Sequence, residues 1–159
     1  CNVLFVHSKS SGSINSSEIS RFFLMAANFP RILFTVKWHP GDKSDIKLLR
    51  GKLPNNIRFT SEPLFCAISN SDFVIALQSS GVYDAFLLDK PLYILNYATS
   101  NIVFEEISQC LTFLNSPDEL YHLFVSLEQK LLSPNTVMTL KMPLWSDIHI
   151  RWMSAIETL

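Results

Sequence analysis

The chain has 159 residues, a formal net charge of -1, and is 48% hydrophobic and 17% charged. That is the length of one domain with enough apolar content for one core, which excludes a disordered chain. The near-neutral charge excludes a broad nucleic-acid footprint, and no apolar run approaches the roughly 18–20 residues of a bilayer span.

Cys1, Cys66 and Cys110 match neither a disulfide framework nor a zinc spacing, and they suit a reducing compartment. The start at Cys1, directly ahead of a strand, predicts a piece of a longer protein. Short apolar runs predict strands at Val3–Val6, Ile32–Val36, Ile57–Thr60, Phe73–Leu77, Leu92–Leu95 and Leu111–Leu114. After the first strand the polar run Ser8–Ser13 reads as a loop. Asn15 and Glu18 then form a capping box for a helix with Ile19, Phe22, Phe23, Ala26 and Ala27 on one face. Asp42 caps a helix carrying Ile46 and Leu49, which Gly51 and Pro54 end.

Ser61, Glu62 and Pro63 open a short helix with Leu64, Phe65 and Ile68 on one face, and Cys66 beside them reads as an inert packed thiol. Ser116, Pro117, Asp118 and Glu119 are the strongest helix start in the chain, a Ser cap with Glu closing the box. Leu120, Leu123, Phe124, Leu127 and Leu131 follow as the apolar stripe, with His122 on the surface. Residues 133–159 divide into an irregular stretch, Ser133–Leu144, and a last helix near Ser146–Leu159 with Ile148, Trp152, Ile156 and Leu159 on one side.

Strand and helix alternating about six times argue an α/β, Rossmann-like open parallel sheet with helices on both faces. The strands are continuously apolar, as strands buried on both faces should be. Ligands of such sheets bind at the carboxyl ends of the strands, near the switch in strand order. With the order 3-2-1-4-5-6, the loops after Val6, Val36 and Leu77 border that switch.

The loop after the second strand reads Lys37-Trp38-His39-Pro40-Gly41-Asp42. The loop after the fourth reads Gln78-Ser79-Ser80-Gly81 and enters a helix through Val82, Tyr83 and Asp84. Hydroxyls and free N–H groups at a helix start suit an anion. Gly81 leaves the backbone open to close approach, and Asp84 suits ribose hydroxyls. His39 suits a phosphate oxygen, offsetting its charge when protonated, and Pro40 stiffens its loop. His7, directly after the first strand, is a secondary candidate. Each has a plainer reading: Ser79 and Ser80 as N-caps, His39-Pro40 as a turn, Asp84 as a first-turn acid. The chain contains no P-loop, no GxGxxG after its first strand, no GxSxG and no HExxH.

Taken together and in order, "VKWHPGDKSD" and "NSDFVIALQSSGVYDAFLLDKPLYIL" resemble the nucleotide-binding half of GT-B-fold glycosyltransferases of bacterial surface polysaccharides. These include the sialyl- and polysialyltransferases, Kdo-type capsule transferases and CDP-glycerol glycerophosphotransferases. Their pattern is an HP dipeptide, then (S)D, a hydrophobic run, SS or ST with E-A beyond, and (G)KP before the next strand. The resemblance covers about residues 31–96.

It implies donor-phosphate contacts at His39, Ser79, Ser80 and Gly81, with His39 catalytic, and a ribose contact at Asp84. It implies a single donor-nucleotide-binding domain over 1–159, with 133–159 either crossing back toward an N-terminal acceptor domain that the sequence does not include or covering the near face of the sheet. The donor would be a nucleotide-activated sugar, CMP- or CDP-linked in preference to UDP-linked, used without metal or other cofactor in capsule or lipopolysaccharide synthesis. The protein would be cytoplasmic, with peripheral association at the inner face of the membrane. Alone, the chain would bind nucleotide and catalyse nothing. Asp84 stands where the family has Glu, one methylene longer, and Asp89 stands where Gly is expected before Lys90-Pro91.

Two other readings stay open. UDP-N-acetylglucosamine 2-epimerases share the half-fold, but with Ser-Gly-Gly where this chain has Ser79-Ser80-Gly81. A degenerate α/β interaction module that binds no nucleotide would suit the small number of glycines, four in all.

Overall fold

The computed structural model describes residues 1–7, 16–39, 41, 53–77, 79, 81–98, 107 and 111–132, with backbone alone for 16–19 and 98. The strands are β1 (Asn2–Val6), β2 (Leu33–Lys37), β3 (Ile57–Phe59), β4 (Phe73–Ala76), β5 (Leu92–Leu95) and β6 (Thr112–Leu114). The helices are α1 (Ser16–Ala26), α2 (Leu64–Ser69), α3 (Gly81–Leu87) and α4 (Pro117–Leu132), with a 3-10 turn at Asn96–Ala98. Each predicted strand is present with its ends moved by a residue or so. The predicted Asn15 cap, the helix carrying Ile46 and Leu49, Cys110 and the whole of 133–159 lie outside the described residues.

All strand pairings are parallel, and the order is β3-β2-β1-β4-β5-β6. This Rossmann-like α/β sheet has its switch between β1 and β4. Side chains alternate across it. Val3 and Phe5 of β1 join α1 and α4 in one core, through Phe22, Phe23, Leu120, Phe124 and Leu127. Leu4 and Val6 join α2 and α3 in the other, through Ala67, Ile68, Val82 and Ala85. Helices leading leftward and rightward from the switch must cover opposite faces if each crossover is right-handed, and they do.

The first core is strongly aromatic. The ring of Phe124 lies 4.9 Å from Phe34, 5.4 Å from Phe29 and 5.9 Å from Phe22, all in edge-to-face geometry. α4 thereby reaches from the β6 edge back across the sheet to β2. The start of α4 follows the predicted box: the Glu119 N–H donates to Ser116 Oγ at 3.2 Å, and the Glu119 carboxylate accepts from the Asn115 N–H at 2.8 Å. The carboxylate reaches one residue further back than in a standard box, where it would bond the cap residue itself.

Four predicted positions differ. Phe65 is 58% exposed, and Cys66 beside it is exposed instead of packed. α2 is only six residues long and turns Ala67 and Ile68 to the sheet, with Leu64 half-buried. In α1, Phe22, Phe23 and Ala26 are buried as expected, but the helix ends at Ala26 and Ala27 faces outward. At the end of α4, Leu131 is 41% exposed.

Candidate functional site

The parallel sheet directs every strand's carboxyl end to one edge, so the loops after β1, β2 and β4 emerge together. Val6, the last residue of β1, is in register with Lys37 of β2 on one side and Ala76 of β4 on the other. The ladders run one step further: the His7 N–H donates to the Lys37 carbonyl at 2.9 Å, and the Leu77 N–H donates to the Val6 carbonyl at 3.2 Å. His7, His39 and Ser79 thus share the edge at the switch point. Pro40 and Ser80 lie outside the described residues.

Trp38 and His39 turn opposite ways as β2 leaves the sheet. Trp38 is buried, while His39 is exposed. The Gly41 N–H donates to His39 Nδ1 at 3.0 Å. An accepting Nδ1 places the proton of the neutral ring on Nε2, and among the described residues Nε2–H has no partner. With Nδ1 accepting, Nε2 is the ring nitrogen left to donate to a ligand.

Ser79 is half-buried, and its Oγ is shielded from water with no hydrogen-bond partner among the described residues. The chain turns here through the Val82 N–H, which donates to the Ser79 carbonyl at 3.0 Å. Ser79 starts the turn into α3, but its hydroxyl does not cap it, so the plain N-cap reading leaves the hydroxyl unexplained. The absence of a side chain at Gly81 has a local reason: a Cβ there would lie 2.8 Å from Leu64 Cδ2 and 3.4 Å from Val6 Cγ1. The glycine lets α3 start against β1 and α2. Asp84 is half-buried in the first turn of α3, and its carboxylate makes no hydrogen bond or ion pair with the described residues.

Other residues of the two motifs serve the framework at the opposite edge. Ahead of β4, the Asp72 carboxylate accepts from the Asn2 N–H at 2.8 Å and fastens the start of β1. Ahead of β5, Lys90 Nζ donates to the carbonyls of Ser69 at 2.9 Å and Ser71 at 2.7 Å, closing the end of α2. Asp89 has φ 51°, in the left-handed region where glycine is usual. Its N–H donates to the Phe86 carbonyl and the Lys90 N–H to the Ala85 carbonyl, both at 3.1 Å, which is a Schellman ending for α3. A glycine before the Lys-Pro pair answers this backbone conformation.

Among the described residues no three His, Cys, Asp or Glu side chains gather as metal ligands would, and no helix is long and apolar enough to cross a membrane.

No family model and no curated protein matches the chain. Solved structures do. The glycotransferase of kitacinnamycin superposes with a TM-score of 0.58 at 16% identity, over 80% of this chain and 34% of its own. The glycosyltransferase SnogD from Streptomyces nogalater superposes with a TM-score of 0.53 at 16% identity, over 83% of this chain and 39% of its own. The likeness establishes the shared Rossmann-like fold, and the chain spans little more than a third of the length of these structures.

Proposed function

We propose that the chain is the donor-binding half of a two-domain GT-B glycosyltransferase that uses a nucleotide-activated sugar, CMP- or CDP-linked in preference to UDP-linked. The observation that carries this reading is the strand order, which sets His39 and Ser79 on the two sides of the β1–β4 switch. Clefts at such switch points are where open α/β sheets hold ligands. The fold likeness to two glycosyltransferases supports the same class. The ordered motifs favour the surface-polysaccharide enzymes within it.

In this reading the donor phosphate meets the outward Nε2–H of His39. The Ser79 and Ser80 hydroxyls and the N–H groups at the start of α3 serve the same group. Asp84 faces the ribose. The acceptor hydroxyl oxygen bonds to the anomeric carbon as the bond from that carbon to the phosphate oxygen breaks. The electron pair leaves on the phosphate, and the acceptor proton passes to a base on the acceptor domain. Donors fixed toward the departing oxygen act mainly in the transition state, when its charge grows.

Thermal unfolding with CMP, CDP, UDP or inorganic phosphate tests the assignment, since a ligand at about 100 times its Kd adds about 2.7 kcal/mol to stability. The cytidine nucleotides are expected to raise the melting point most and phosphate least. A melting point unmoved by all four would favour an interaction module, and a preference for UDP would favour an epimerase-like half-domain.

A further inference from the structure

His39 lies two residues beyond the last residue of β2, past the end of its pairing with β1 and β3. The residue between them is held firmly. The indole of Trp38 stacks flush on the imidazole of His7, with ring centres 3.8 Å apart and planes parallel at 0°. Phe59 of β3 also meets it edge-on at 6.1 Å, and in turn meets Phe23 of α1 at 6.5 Å. His7 is 4% exposed and Trp38 8%. Rings from the ends of β1 and β3 therefore hold Trp38 between them and fix the point from which the His39 loop departs.

We propose that His7 is a positioning residue for His39: by stacking on Trp38 it holds the His39 backbone in the direction that lets Gly41 engage Nδ1 and leaves Nε2–H pointing outward. His7 then acts through its flat ring, not as a phosphate ligand. Its backbone is anchored in the β1–β2 ladder through the Lys37 carbonyl, so the stack ties the His39 loop to the centre of the sheet. Because α1 and β3 reach the same indole through Phe23 and Phe59, the loop's geometry is a property of the folded core. The importance of this device for donor binding rests on the donor-site reading above, whereas the positioning itself does not.

The test compares His7→Leu, which removes the ring, with His7→Phe, which keeps a stacking partner. The first readout is the nitrogen NMR spectrum of His39, which reports its tautomer and the Gly41 bond without any ligand. The second is CDP affinity by calorimetry. In His7→Leu the His39 signals are expected to shift toward tautomer averaging and CDP affinity to fall about tenfold, while His7→Phe keeps both within about twofold. His7→Gln, ringless but polar, serves if His7→Leu does not fold. An unchanged His39 spectrum in a folded ringless variant overturns the proposal, as does a His7→Phe spectrum that matches the ringless one. Failure of the wild-type chain to bind CDP would instead count against the donor-site reading, and the His39 spectrum would still decide the positioning role.

Discussion

Gly41 gives its backbone N–H to Nδ1 of His39 at 3.0 Å, and that bond decides which ring nitrogen can serve a ligand. Nε2–H is the donor on offer. A glutamine at this position places an amide N–H near Nε2, whereas alanine places nothing. In the complete transferase, His39→Ala is expected to lower turnover far more than donor affinity, by the roughly 2.7–4 kcal/mol typical of one lost transition-state donor. His39→Gln should retain part of the rate. Steady-state kinetics with varied donor check this, and an unchanged kcat with a raised KM would confine His39 to ground-state binding.

Ser79 carries a shielded hydroxyl that no described residue satisfies. An unmet buried polar group costs about 1–3 kcal/mol. Ser79→Ala is therefore expected to leave the melting point unchanged or raise it, while weakening CDP binding. A residue kept at some cost to stability and needed for binding is the signature of a ligand contact. Should Ser79→Ala lower the melting point, the hydroxyl is a structural cap and the phosphate role loses its physical basis.

Asp89 holds a left-handed conformation at the end of α3. Replacing it with glycine removes the crowding of Cβ against the backbone, which outweighs the added freedom of the unfolded chain. Asp89→Gly is expected to stabilise by about 0.5–1 kcal/mol, which for a domain of this size is about 2–4 °C per kcal/mol in melting temperature. Nucleotide binding should not change. Asp89→Ala, which also carries a Cβ, should give no such gain, and calorimetric unfolding of both variants separates the effects.

Tyr93 of β5 lies in the aromatic core, and burial pushes its phenol above the ordinary value of 10.0. In the unfolded chain the phenol ionises near that ordinary value, so above it the unfolded state binds fewer protons than the folded one. Stability is then fully present below pH 10 and is lost as pH rises through the folded-state value. Tyr93→Phe is expected to flatten this alkaline loss. Denaturant unfolding on either side of the ordinary phenol range, for both proteins, measures the difference in slope.

The parts of the molecule decided by short-range physics were legible in the sequence. Continuous apolar runs such as Leu92–Leu95 announce strands buried on both faces, and the alternation with helices then requires a parallel sheet. Ser116 and Glu119 carry their own helix start because both partners lie within one turn. The two motif loops fall at one edge on the sequence alone, because all strands of a parallel sheet point the same way.

Other features needed the tertiary structure. The stripe through Leu64, Phe65 and Ile68 predicts one face for α2, but six residues make fewer than two turns, and the sheet selects Ala67 and Ile68. Phe65 and Cys66 were left outside by that choice. Gly81 and Asp89 are set by contacts and backbone angles that residue type alone does not reveal. The tautomer of His39 depends on Gly41, the Ser79 hydroxyl finds no partner among the described residues, and the seat of Trp38 depends on His7 and Phe59. Local pattern determines which segments become strands and helices, because it acts through the chain's own periodicity. Which atoms then face a ligand is decided by residues distant in sequence, since only folding brings β1, β2 and β3 to the same indole ring.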